Sequence, residues 1–412
     1  MKTKIRHLFT ITTISMICNF ALAGSGIDSS GAPRATAEEA LIKHWREPEL
    51  NQRFMDIPEL EKAYISASPE NLNDGIAVGN LSSRLGDNAA IVKLAKEIAE
   101  EKHGQLDSLL IAHQGELLFE SYYRRGRIDL SHPQSSATKS YTSLAVGRAI
   151  QLGYLSMADL DKPVISFLKD LDHARLADGA GKVTLRHALT MTTGITISEE
   201  QWQQINDNPE KLKGQQEVQV ILETSQPISD DTQVFKYGTG PQLIMQVLDA
   251  VVPGSAQNFI KTELLDKLGI HNYSWKNAAS GLPESGWKAS ITSRDMLKFG
   301  LLFSNKGKWQ EQQLISAAYL SDATRRHIFT GDDDIYGGGK DVSRQGYGYY
   351  FWGTDLHHNG KHYPSASAQG GGGMYILHVK ELNLVVVVTA HHRDQTTQQM
   401  IAERILPAFV AS

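Results

Sequence analysis

The stretch that decides how this chain is read is HPQSSATKSYTSLAVGRAI, residues 132–150. A polar loop gives way to Ser136, and Lys139 follows three residues later at the head of an apolar-periodic segment. On a helix, positions i and i+3 share a face, so this spacing can bring a serine Oγ and a lysine Nζ together. The first turn of a helix also offers unpaired N–H groups and the positive end of the dipole, which favour developing negative charge. A lysine ordinarily titrates at about 10.4 and accepts a proton at neutral pH only where burial or nearby positive charge disfavours its ammonium form. The same residues also suit an ordinary helix start, with Tyr141, Leu144, Ala145, Ala149 and Leu152 on one side and Gly153 as C-cap.

Spacing alone does not choose between these readings. The chain contains it three times, at Ser136–Lys139, at Ser166–Lys169 in SFLK and at Ser285–Lys288 in SGWK. Only Ser136 opens an apolar helix after a polar loop. Ser166 lies in a helical run after Pro163, and Ser285 in a loop with Gly and Pro.

Working outward, SLLIAHQGELLFESYY reads as a β-hairpin turning at Gln114–Gly115. Before it, Asp87 to His103 has apolar residues at helical spacing and ends at Gly104. A long middle, about 159–326, is dominated by helical patterns. Late in the chain GYGYYFWG, GGMYILHV and LNLVVVVTAHH are strand-like, the last two joined by a turn at Lys380–Leu382. TTQQMIAERILPAFV closes with a helix. The prediction is an α+β domain over 87–412, with an antiparallel β-sheet built from both chain ends. N- and C-terminal helices flank the sheet, and the middle is a large helical insertion. Residues 24–86 form an extension wrapping this domain.

Of 412 residues, 41% are hydrophobic and 21% charged, a globular balance with enough chain for a sizeable core. A net charge of −5 gives no basic footprint for nucleic acid. Lys2, Lys4, Arg6 and His7 precede the apolar LFTITTISMICNFALA, and Ala21-Leu22-Ala23 supplies small residues for cleavage. This predicts a signal peptide over 1–23, export to a periplasm or beyond, and no stable membrane span after cleavage. Cys18 is the only cysteine, so the mature chain would have no disulfide, cysteine nucleophile or thiolate metal site. No His-Glu-x-x-His, phosphate loop or Gly-x-Ser-x-Gly elbow occurs, and no metal or other cofactor is expected.

SSATKSYTSLAVGRAIQLGYLSMADLDKPV resembles the nucleophile region of serine β-lactamase-related hydrolases. That group includes class C β-lactamases, D-alanyl-D-alanine carboxypeptidases, esterases and 6-aminohexanoate-dimer hydrolases. VTLRHALTMTTGI, FKYGTGPQLIMQVLDAV, ELLDKLGIHNYSW, SRDMLKFGLLFSNKGKW and AQGGGGMYILHVKELNLVVVVTA continue the resemblance in the family's order, from about Asp74 onward. The resemblance implies the β-lactamase/transpeptidase-like fold and covalent acyl transfer. Ser136 would be the nucleophile, with Lys139 and Tyr237 moving its proton. Tyr237-Gly238-Thr239 holds the place of the family's Tyr-x-Asn, so Thr239 is a candidate substrate contact that departs from the usual Asn.

Ala368-Gln369-Gly370 stands where many relatives have Lys-Thr-Gly. Gly370 would let substrate approach the strand, and the N–H of Gly371 would join that of Ser136 in an oxyanion hole. A lysine at 368 would help hold a β-lactam or D-Ala-D-Ala carboxylate, so Ala368 favours an ester or amide without one. With a turn near Glu381, hairpin pairing would set Gly370 opposite His392 and Gly371 opposite His391. Adjacent strand residues face opposite ways, so at most one histidine reaches the cleft, and His391 is the candidate. The expected activity is that of an exported esterase or 6-aminohexanoate-dimer-hydrolase-like enzyme on a small-molecule ester or amide. A β-lactamase or D-Ala-D-Ala carboxypeptidase, or a non-catalytic binding relative, is the alternative.

Overall fold

The run LVVVVTA, Leu384–Ala390, is buried along its whole length. Such a strand needs apolar cover on both faces, and its alternate residues enter two separate cores. Val385 and Val387 join a large cluster with Leu110, Ile376 and Phe299. Leu384, Val386 and Val388 join a second with Ile91, Leu94, Ile401 and Ile405. A central sheet between two helical layers satisfies both.

The computed structural model describes residues 31–85, 88–392 and 396–410; the expected signal segment, 1–23 with Cys18, lies outside them. Ten strands form the sheet: β1 Tyr64–Ser66, β2 Ala77–Val78, β3 Leu106–His113, β4 Glu116–Tyr122, β5 Ile328–Gly331, β6 Val342–Tyr347, β7 Trp352–His358, β8 Lys361–Gly370, β9 Met374–Val379 and β10 Leu384–Ala390. Their order is β5-β6-β7-β8-β9-β10-β3-β4-β1, with β2 also on β4. All pairings are antiparallel except β2–β4. Both chain ends thus meet at the β10–β3 seam. The extension contributes β1 and β2 to the sheet edge.

The helices that matter here are α1 Ala89–Ala99, α2 Thr138–Gln151, α3 Gly240–Val251 and α4 Ser293–Ser304. A helical run over 397–410 packs with α1 on one face. On the other face lies α4, so close that a Cβ on Gly300 would stand 2.5 Å from Val385 Cγ1. The expected α1 is shorter than its periodicity: Glu101 turns left-handed at φ +61° and ion-pairs with Arg124, and the helix stops. GYGYYFWG is two strand ends rather than one strand, because Gly348 donates to the Phe351 carbonyl at 2.8 Å and closes a turn.

Two features of strand order correct the sequence reading. KHYPSASAQG, too polar and Pro-containing to read as a strand, is the 10-residue β8. Gly370 ends that strand and pairs with Met374 across a glycine turn, so it does not lie opposite His392. The β9–β10 register is also one residue out, with Tyr375 against Val388 and Val379 against Leu384. A one-residue slip exchanges the faces of a strand.

Candidate active site

A single-turn helix, Ser135–Ala137, carries Ser136 into α2. Lys139, one turn on and only 8% exposed, donates from Nζ to Ser136 Oγ at 3.1 Å. Its second acceptor is the Gly286 carbonyl, at 2.9 Å. Above the ammonium lies the Tyr237 ring, its centroid 4.7 Å from Nζ. Serine and lysine are thus fixed by one helix turn, and the ammonium is oriented by a loop far away in sequence.

That loop is SGWK, the third Ser-x-x-Lys stretch. A short sheet pairs Ala289–Ile291 with His132–Pro133, the approach to Ser136, and Gln134 N–H donates to the Ala289 carbonyl at 2.9 Å. The loop just before it therefore arrives beside Lys139. Glu284 folds the loop by accepting from the N–H groups of Gly286 at 3.0 Å and Trp287 at 2.8 Å. Burial raises the Glu284 pKa, opposed by those two N–H groups and by Lys139 and Lys288. The other two Ser-x-x-Lys matches are structural: Ser166 Oγ donates to the Pro163 carbonyl, and the Ser285 carbonyl accepts from Thr142 Oγ1.

Tyr237 stacks on Trp352 at 5.9 Å and meets Tyr347 edge-on at 6.0 Å. Burial drives the Tyr347 pKa well up, and its neighbour Tyr237 adds to the rise. Among the described residues, no hydrogen bond joins the Tyr237 phenol to Ser136 or Lys139. The ring face, not the hydroxyl, meets the ammonium.

The end of β8 supplies the opposite wall. A Cβ on Gly370 would stand 2.2 Å from the Gln134 carbonyl oxygen, so only glycine lets the strand come this close to the segment that carries Ser136. Gly371 faces open space. Ser136, Tyr237, Tyr336, Trp352, Gly370 and Gly371, with Gln369, line a cavity of about 180 Å³. Beyond Lys139 a second hollow of about 390 Å³ is walled by Thr239, Trp202, Glu284 and Trp287 among others. Ala368 is 1% exposed within the large core and brings no cation to the cleft.

His391 is not at the cleft. Its side chain is 1% exposed, and Nδ1 lies 2.8 Å from Asp107 Oδ2. His132 Nε2 approaches the same oxygen at 3.0 Å, and Arg125 Nη1 lies 3.3 Å from His391 Nε2. Burial opposes charge on Asp107, but the bonds from His132 and His391 outweigh it and hold the carboxyl at about 2. The cluster ties the approach strand to the start of β3. Gly286, Glu284, Trp287, Tyr336 and Trp352 also line or shape the site, and the sequence pattern does not single them out as site residues.

A Ser–Lys pair at a buried helix start, faced by a glycine-ended strand on a sheet made from both chain ends, defines the β-lactamase/transpeptidase-like fold. A profile described as Beta-lactamase matches residues 91–408, and the chain belongs to the β-lactamase family. No curated protein sequence matches it significantly. Among solved structures, a candidate β-lactamase from Bacteroides dorei DSM 17855 aligns with a TM-score of 0.60 at 14% identity, over 79% of this chain and 99% of that one. EstCE1, a hydrolase with promiscuous acyltransferase activity, gives 0.58 at 16%, over 78% and 98%. A candidate 6-aminohexanoate-dimer hydrolase from Bacillus anthracis gives 0.55 at 16%, over 83% and 85%. At these identities the likeness shows the fold alone.

Proposed function

We propose that this member of the family is a serine hydrolase that cleaves an ester or amide through an acyl-serine intermediate. The observation that carries the reading is the 3.1 Å contact of Lys139 Nζ with Ser136 Oγ at the mouth of the Gly370–Gly371 cavity. Ser136 Oγ attacks the substrate carbonyl as the Lys139–Tyr237 pair takes its proton. The N–H groups of Ser136 and Gly371 receive the oxyanion. Lys139 and Tyr237 act as a coupled pair that returns the proton to the leaving group, and water then hydrolyses the acyl-enzyme.

Among the described residues the cavity lining is largely aromatic and holds no charged side chain, which suits an uncharged acyl group. The buried methyl of Ala368 argues against a substrate held by a carboxylate, which favours the esterase or 6-aminohexanoate-dimer-hydrolase-like branch over β-lactams. Thr239 and Lys139 line the same second hollow, which this reading assigns to the leaving group. The basic start and apolar run at the N-terminus support export. Replacing Ser136 with Ala should abolish both ester hydrolysis and labelling by a fluorophosphonate probe. Persistent labelling would overturn the assignment.

A further inference from the structure

The N-terminal extension reaches the site through one side chain. Trp45, half-buried, donates from Nε1 to Ser135 Oγ at 3.0 Å. Ser135 immediately precedes the nucleophile and sits at φ +45°, in the left-handed region where a residue with a Cβ is strained. The direction of the Ser136 N–H is set by the peptide plane that follows Ser135. The rim of the same indole lies against the turn beyond the second donor: a Cβ on Gly372 would stand 3.3 Å from Trp45 Cζ2. That turn is pinned from two other sides, with Gly372 N–H donating to the Tyr336 hydroxyl at 3.1 Å and His392 N–H to the Gly372 carbonyl at 3.1 Å.

Trp45 is itself held firmly. Its ring packs edge-on against Phe54 at 5.4 Å and His132 at 5.6 Å. Phe54, Ile42, Ile57 and Leu130 form a separate small core under the extension. His44 bonds to Ser274 Oγ at 2.9 Å, and Glu47 pairs with Lys276 at 2.7 Å, tying the same segment to the body. One indole therefore bonds to the residue before the first oxyanion donor and stands where a Cβ on the residue after the second would press on it.

We propose that Trp45 is a positioning residue for the oxyanion hole, holding strained Ser135 so that the Ser136 N–H stays aimed beside that of Gly371. The extension is then part of the active site and not merely a wrapping. This rests on the acyl-serine reading of the site. If Trp45 were simple packing, its loss would lower stability without selectively slowing attack at Ser136.

The test is the rate constant for labelling by a fluorophosphonate in four proteins: wild type, Trp45→Phe, Ser135→Gly and the double variant. Phenylalanine keeps a ring but has no N–H donor. Trp45→Phe should label on the order of tenfold more slowly, a part of the loss expected for removing an oxyanion donor outright. Glycine takes φ +45° without strain, so in the Ser135→Gly background the same change should cost less than about twofold. An unchanged rate for Trp45→Phe, or an equal loss in both backgrounds, overturns the proposal. Should Trp45→Phe fail to fold, Ser135→Ala removes the acceptor while keeping the strain and must show the same tenfold loss. Wild-type protein that is not labelled at Ser136 overturns the acyl-serine reading itself and this proposal with it, whereas normal labelling with an insensitive Trp45 overturns this proposal alone.

Discussion

Gly370→Ala is the sharpest perturbation the site offers. The added Cβ would meet the Gln134 carbonyl oxygen at 2.2 Å and Met374 Cβ at 3.2 Å, where ordinary contact begins near 3.4 Å. The first of these atoms is backbone and cannot swing aside, so β8 and the Gln134–Ser136 segment must part by about 1 Å. A shift of that size between reacting groups costs on the order of 10²-fold, and losing an oxyanion donor costs 10²–10³-fold, about 3–4 kcal/mol. The expected outcome is therefore a fall of at least about 10²-fold in kcat/KM for a p-nitrophenyl ester, carried by kcat. Gly371→Ala is the comparison, because its Cβ would meet nothing within 4 Å and its N–H is kept. Its effect should appear in KM, as a methyl entering the cleft, and only weakly in kcat. A melting temperature taken alongside separates misplacement from unfolding. A folded Gly370→Ala protein with kcat within about threefold of wild type would refute the idea that this close approach builds the oxyanion hole.

Lys139→Met should lower the fluorophosphonate labelling rate by about 10²–10⁴-fold, the usual worth of a positioned general base, with folded structure checked by circular dichroism; a rate within tenfold of wild type would remove Lys139 from the proton path. Ala368→Lys should lower the melting temperature, because the longer side chain must be fitted at a position 1% exposed within the large core; an unchanged melting temperature would overturn the reading of that position. Stability should also fall with acid through His378, held down at about 4 mainly by burial and further by Lys380. The unfolded chain takes up this proton below about 6.5 and the folded chain only near 4, so the stabilisation is present above pH 6.5 and lost as pH falls through that window. It amounts to on the order of 3 kcal/mol; urea unfolding at several pH values should show the slope flatten in His378→Asn, and an unchanged slope would assign the acid sensitivity elsewhere.

What the sequence made legible was local or strongly patterned. Gln114 and Gly115 both take positive φ, as a tight hairpin turn requires, and the turn was readable from the pair alone. The apolar runs of β9 and β10 and the 3₁₀ turn between them lie where expected. Ser136 and Lys139 share a helix turn, so their contact followed from spacing once the right copy of the motif was chosen. β8 was hidden because its burial comes from the elements packed around it and not from its own hydrophobicity, with Pro364 arguing against a strand. His391 was misplaced because strand order cannot be read from two adjacent apolar runs, and a single-residue register error moves a side chain to the other face.

The SGWK loop shows why a site is less legible than its nucleophile. Its resemblance to Ser-x-x-Lys was accidental, yet the loop belongs to the site through its backbone. Lys139 needs an acceptor that fixes its ammonium without competing for the serine proton. The Gly286 carbonyl provides one, and the N–H groups beside it are taken up by Glu284. A Cβ on Gly286 would lie 3.2 Å from Glu284 Oε1, a tight contact, and 3.6 Å from Lys139 Nζ, so a larger residue would crowd the carboxylate that folds the loop. Apart from the Glu284 carboxylate, this arrangement is made by backbone, which no motif records. The same holds for Gly370 and the Gln134 carbonyl, and no motif records the indole of Trp45 beside Ser135. In the proposed reading Ser136 and Lys139 carry the chemistry that a motif can name, while backbone groups of distant segments, with the Glu284 carboxylate and the Trp45 indole, aim those side chains.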